Sequence, residues 1–130
     1  MLHVQAFAHA NISVRDLDKA RAFYGGLLGL KEIPRPPFDN PGVWYEIGDV
    51  QIHLSVRDLP PSQEGPGPGR PHLAFWVDDP ETVVGRLRQA GVFVRDVPEN
   101  ASGYHQLFIA DPDGNVVELI GPRRKEGSTI

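Results

Sequence analysis

The sequence predicts an α+β fold built from two tandem repeats, each a strand, a helix and then further strands. Three observations carry that prediction. The hydrophobic period changes from alternation to helical spacing and back, once in each half of the chain. A Pro/Gly stretch, PPSQEGPGPGRP at residues 60–71, separates the halves and cannot hold regular structure, because proline removes donors and glycine loosens the backbone. The halves also align: HANISVRDLDKA stands against HLAFWVDDPETV, each opening a strand with histidine and entering a helix through acidic residues. A shared order of elements over about sixty residues argues for an internal repeat.

Residues 3–14 (HVQAFAHANISV) alternate loosely and read as a strand. Asp16 to Leu28 places Leu17, Ala20, Phe23, Tyr24 and Leu27 at helical spacing. Pro34, Pro36 and Pro37 then break the chain, after which VWYEI and VQIHLSV, separated by Gly48-Asp49, have the pattern of a hairpin. In the second half HLAFWV reads as a strand and PETVVGRLRQAG as a helix, with Pro80 early in it and Gly91 as its C-cap. VFVRDV, HQLFIA and NVVELI follow as strands. The boundaries are a first module at about 3–57, a linker at 58–71, a second module at 72–121 and a flexible tail at 122–130.

Composition narrows the function class. The 130 residues carry 40% hydrophobic side chains and a net charge of -4, as an ordinary globular chain does. No cysteine is present, which excludes disulfides, thiolate metal sites and a cysteine nucleophile. The N-terminus lacks a signal-peptide pattern, so a cytoplasmic protein is expected. No apolar run approaches a membrane span and the basic residues form no stripe, so neither a membrane nor nucleic acid is an expected partner. A small-molecule substrate is.

Glu118 sits inside the aliphatic run NVVELI, directly after the turn DPDG. A carboxylate buried there without a partner is too costly to keep, so it must reach solvent, pair with a cation or bind a metal. Strand parity separates the faces: Val50, Ile52, Leu54 and Val56 meet the helix, leaving Gln51, His53 and Ser55 opposite. By the same rule His72, Ala74 and Trp76 oppose Leu73, Phe75 and Val77, and Glu118 opposes Val117 and Leu119. In the aligned repeats His9 matches His72, and His53 matches Glu118 with one residue of slippage in the turn. Four such residues, two per repeat, converge if one curved sheet carries them, and imidazole and carboxylate suit divalent Zn, Ni, Co, Mn or Fe.

The segments HANISVRDLDKARAFYGGLLGL, RPHLAFWVDD and DPDGNVVEL together make the chain, over residues 3–121, resemble the vicinal oxygen chelate superfamily. This is also called the glyoxalase, bleomycin-resistance and dioxygenase superfamily. The resemblance implies two βαβββ modules in tandem, forming an open cup-shaped mixed sheet with helices on its outer face, and often a homodimer. It further implies that His9, His72 and Glu118 bind a divalent metal. His53 stands at the fourth position, where glyoxalase I-like lyases have a Glu that is ligand and base and epimerase-like members have Gln; it is a fourth ligand or a base. The expected function is a metal-dependent lyase or isomerase acting on a small substrate whose adjacent oxygens chelate the metal, with His53 and Glu118 as catalytic residues.

The rivals are a ligand-sequestering protein of the bleomycin-resistance kind and a small extradiol-type dioxygenase. A fosfomycin-modifying thiol transferase is disfavoured, since Trp44 stands where those proteins have tyrosine and PENASGYHQ replaces their serine-rich loop. Trp44, Gln51, Trp76, Tyr104, Gln106 and Phe108 are candidate substrate contacts on the inner face. Asp16, Asp18, Asp78 and Asp79 read as helix-start acids, His105 as structural or exposed, His3 as N-terminal surface, and Arg35 and Phe38 as exposed loop residues in preference to a cover for the cup mouth.

Overall fold

The computed structural model describes residues 1–58, 60 and 64–124. The chain divides into two compact units, Met1–Pro61 and Ser62–Ile130.

In the first unit, strand β1 (His9–Val14) leads into helix α1 (Leu17–Arg21), which runs on as a π-helical turn over Ala22–Leu27. Strands β2 (Lys31–Ile33), β3 (Gly42–Ile47) and β4 (Val50–Val56) follow. The sheet order is β1-β4-β3-β2, with β1 parallel to β4 and the other pairs antiparallel. The second unit repeats the plan with β5 (His72–Trp76), α2 (Pro80–Gln89), β6 (Arg95–Val97), β7 (Tyr104–Ala110) and β8 (Val116–Pro122), in the order β5-β8-β7-β6. Two four-stranded mixed sheets, each with one helical segment, are the expected βαβββ modules.

Each core is the helix-facing parity of its own sheet. Val14, Val43, Tyr45, Ile52 and Leu54 are buried with Ala20, Phe23 and Tyr24 of the first helix. Leu107, Ile109, Val117 and Leu119 are buried with Val84 and Leu87 of α2. Asp16 caps α1, its side chain accepting from the Lys19 amide at 3.1 Å, the helix-start role expected of it, whereas Asp79 stands at the N-cap of α2 without a side-chain cap hydrogen bond. Gly91 follows α2 with φ +77, the left-handed C-cap that the sequence signalled.

Four expectations need correction. The first strand begins at His9 and not at residue 3, because its parallel partner β4 starts only at Val50, the pairing opening where the Gln51 amide donates to the Ala8 carbonyl at 3.2 Å. The first helix leaves the α form after Arg21: at Gly25-Gly26 the helix preference is weakest, and the Leu28 amide reaches back to the Phe23 carbonyl. A strand over VFVRDV shortens to Arg95–Val97, since the Val92 amide is spent on the Leu87 carbonyl in closing α2. Finally, β2 went unread because its three residues are too few to show a period.

The described part of the linker is anchored. The Arg70 guanidinium donates to the carbonyls of Glu64 and Gly114, at 2.9 and 3.0 Å, tying the approach to β5 to the turn before β8. The expected tail from 122 is described only to Arg124; residues 125–130 lie outside the described residues.

Candidate functional site

In the first unit the parallel pairing sets His9 opposite Gln51 and Asn11 opposite His53, and the β3–β4 hairpin sets Trp44 opposite His53. All share the face away from the helix. The rings form a column: His53 stacks on Trp44 with centroids 3.8 Å apart and planes within 2°, and on its other side on His9 at 4.1 Å and 19°. His53 is 7% exposed despite its polar face. Its Nε2 lies 2.8 Å from the Gln51 amide oxygen, to which it donates, so Nδ1 carries the lone pair. Burial first, then the neighbouring His9 and Arg35, push its pKa below the usual 6.5. The neutral imidazole is therefore favoured.

The column forms one wall of a cavity of about 550 Å³. Asn11, Ser55, Arg35 and Phe38 line it as well. Ser55 was expected on this face with His53, whereas Asn11 was not; joined to Ser55 by a 2.7 Å hydrogen bond, Asn11 could have been found by extending strand parity from His9. Of the two loop residues Phe38 is exposed, as the preferred reading had it, and Arg35 is half-buried; the Arg35 guanidinium packs 5.1 Å from the Phe38 ring centroid, and Phe38 tilts against Trp44 at 6.2 Å.

In the second unit β8 places Glu118 opposite Ala74 on one side and Phe108 on the other. Glu118, 5% exposed, is held by His72 Nε2 at 2.9 Å and by the Gln106 amide, which donates to its second oxygen at 3.0 Å. His72 in turn donates from Nδ1 to the Arg70 carbonyl at 2.6 Å. That contact fixes the ring and directs Nε2 to the carboxylate. The turn before β8 is rigid: Asp111 accepts from the amides of Asp113 and Asn115 at 2.9 and 2.8 Å, and Gly114 takes φ +83. The short turn residues thus set the register that brings Glu118 to the polar face.

Phe108 is 1% exposed, packed edge-on to His72 at 5.5 Å. Trp76 is 69% exposed and pairs edge-on with Tyr104 at 5.1 Å. His105 is buried on the helix side against Asp96, which is a structural role.

The structure therefore brings together His9 with His53, and His72 with Glu118, each pair within its own unit. Among the described residues, no group of three or more His, Asp or Glu side chains stands close enough to hold a metal ion. Among them, too, no helix is long and apolar enough to cross a membrane.

Comparison with known proteins agrees with this architecture. The glutathione transferase FosA of Serratia marcescens is 35% identical over 121 residues, covering 89% of this chain and 80% of that protein. Glyoxylase I 4 of Arabidopsis thaliana is 31% identical over 124 residues, covering 91% and 71%. The crystal structure of a glyoxalase family protein from Bacillus anthracis superposes with a TM-score of 0.78 at 27% identity, over 94% of this chain and 98% of that one. The family model described as the Glyoxalase/Bleomycin resistance protein/Dioxygenase superfamily matches residues 6–119. With both βαβββ modules inside that span, the chain belongs to the glyoxalase/bleomycin resistance protein/dioxygenase superfamily.

Proposed function

We propose that the protein is a metal-dependent enzyme of the lyase or isomerase type, acting on a small substrate whose adjacent oxygens chelate the metal. His9, His72 and Glu118 hold the divalent ion in this reading. The observation that carries it is the His72–Glu118 pair. With Nδ1 committed to the Arg70 carbonyl, a neutral His72 turns the Nε2 lone pair toward the Glu118 carboxylate at 2.9 Å. Two acceptors facing each other call for a cation between or beside them, a proton or a metal. Gln106 satisfies the other carboxylate oxygen, as the supporting partners of metal ligands do. The donor set is hard-to-borderline, fitting Zn, Ni, Co, Mn or Fe.

When bound, such an ion polarises the substrate's oxygens and stabilises negative charge developing on them. The chain's own residues supply the rest. His53 is best read as the base: its Nε2 donates to Gln51, its Nδ1 is free to accept, and its lowered pKa keeps it neutral near pH 7. Trp44 and His9 clamp the ring so that its accepting edge keeps one direction. The aromatic wall sheds water from the reacting end of the substrate. The chain is further read as a cytoplasmic homodimer.

A second reading is metal-dependent thiol transfer to a small oxygen-rich substrate. The similarity to FosA, 35% over most of both chains, favours it despite Trp44 and the PENASGYHQ loop. A ligand-sequestering role is the non-catalytic rival.

Elemental analysis of tag-free wild type and Glu118→Ala, after identical metal exposure, tests the proposal. Near-stoichiometric metal in the wild type, sharply reduced in the variant, is expected. No metal in either defeats the metalloenzyme reading and leaves sequestration. Once metal is found, methylglyoxal–glutathione hemithioacetal turnover separates the lyase reaction from thiol transfer to an epoxide.

A further inference from the structure

We propose that Arg35 is the anchor for an oxyanion on the substrate, so that the molecule taken into the first-unit cavity is a small organic acid, a carboxylate or a phosphonate. This deepens the proposed function at the same site and rests on it for the chemistry, but the anion contact itself needs no metal.

The Arg35 guanidinium is placed and left under-used. Among the described residues its Nε is buried without a hydrogen-bond partner, and its one side-chain hydrogen bond is a long one, 3.4 Å from Nη2 to the Asn40 oxygen. Among the described residues no carboxylate pairs with it, whereas Arg21, Arg70 and Arg124 each have one. Arg124 also leaves its Nε without a partner, but its Nη groups hold Asp79 and Glu81, whereas those of Arg35 have only Asn40 among the described residues.

Its position is also not that of a free surface side chain. The ring of Phe38 lies 5.1 Å from the guanidinium carbon, and Gly42 lies close to the same group. A Cβ at Gly42 would lie 2.4 Å from the Leu54 carbonyl oxygen and 2.9 Å from both Nε and Cζ of Arg35, so glycine is held there by the neighbouring strand and the guanidinium packs directly against it.

The cavity's chemistry complements an anion. Arg35 is joined along its lining by the neutral amides of Asn11, Asn40 and Gln51 and by the Ser55 hydroxyl, with no carboxylate among them. Trp44 and Phe38 supply apolar rings for the carbon skeleton. The fork of Arg binds carboxylate or phosphonate through two parallel hydrogen bonds, worth more than neutral ones because the charge is partly desolvated. A cavity of about 550 Å³ accepts a small acid of this kind.

Titration of metal-stripped protein with lactate, methylphosphonate and the neutral lactamide tests the inference, read by NMR at the Arg35 Nε–H and Trp44 Nε1–H resonances. At least one of the two anions is expected to shift both resonances saturably, with lactamide weaker by about tenfold or more. Whichever anion binds more tightly identifies the acid. Arg35→Gln is expected to weaken the response at Trp44 by about tenfold, and Arg35→Lys by less, since the charge is kept and the fork lost. Equal affinity for lactate and lactamide, undiminished anion binding in Arg35→Gln, or no saturable shift with either anion would overturn the proposal. The lactamide comparison uses wild type alone and stands even if a variant does not fold. Because metal is absent throughout, failure here leaves the metal-content result untouched, and the reverse also holds.

Discussion

The imidazole of His53 lies flat on the indole of Trp44, 3.8 Å between centroids and 2° between planes. Burial is the first cause of its lowered pKa, ahead of His9 and Arg35, and the indole covers one face of the ring. A histidine whose folded pKa is depressed favours folding in its neutral form. The stability it contributes is fully present above the ordinary 6.5 and is lost as pH falls from there through the folded value. An NMR pH titration of the metal-free protein is expected to find His53 more than half neutral where an unperturbed histidine is half protonated. Trp44→Ala uncovers the ring and should move its titration up toward 6.5, further than Arg35→Gln does. A His53 that titrates at 6.5 in wild type, or does not respond to Trp44→Ala, would remove the argument for it as a standing base.

Glycine positions give a stability test independent of the site. At Gly121 a Cβ would lie 2.2 Å from the Val77 carbonyl oxygen and 2.8 Å from Pro80, where β8 ends against the start of α2. Neither neighbour is a flexible side-chain end, so Gly121→Ala is expected to cost about 2 to 3 kcal/mol. Gly85, in the middle of α2, meets nothing within 4 Å and has ordinary helical backbone. Gly85→Ala should therefore stabilise by about 0.5 to 1 kcal/mol. Urea denaturation of the two variants, with unchanged m-values, checks both; equal effects would mean that the close approach at Gly121 is relaxed in solution.

The contrast between Glu118 and Arg35 shows what the sequence could and could not disclose. Glu118 was legible because strand parity is local: Val117 and Leu119 are core, so the residue between them faces the other way. Gly48-Asp49 and the DPDGN turn announced their hairpin and strand start by backbone chemistry alone, and the matching halves gave the repeat. Arg35 was read as an exposed loop residue in preference to a cover for the cup mouth; it packs beside Gly42, whose Cβ position lies 2.4 Å from the Leu54 carbonyl on the neighbouring strand. Nothing in the sequence around residue 35 records that approach. His105 is similar: only the pairing of β6 with β7 brings Asp96 to it. The sequence pattern shows which face a strand residue takes, whereas loop packing is set by elements distant along the chain.

The His72–Glu118 pair makes the strongest energetic prediction. Both side chains are largely withdrawn from water, 21% and 7% exposed, so solvent screens the contact less than it does the surface ion pairs. Removing His72 leaves a buried carboxylate with Gln106 as its remaining side-chain donor. His72→Ala is expected to destabilise metal-free protein by about 2 kcal/mol, within the range for breaking a buried charged hydrogen bond. In a double-mutant cycle with Glu118→Gln, the second substitution should add little, giving a coupling of about 1 kcal/mol. Metal reverses the comparison. Zn or Mn at about a hundred times its Kd should stabilise wild type by about 2.7 kcal/mol, whereas neither single variant should gain appreciably. Thermal melts of the four proteins with and without metal read both effects. Coupling without metal stabilisation would make the pair a structural ion pair. Metal stabilisation that survives in His72→Ala would take that residue out of the ligand set.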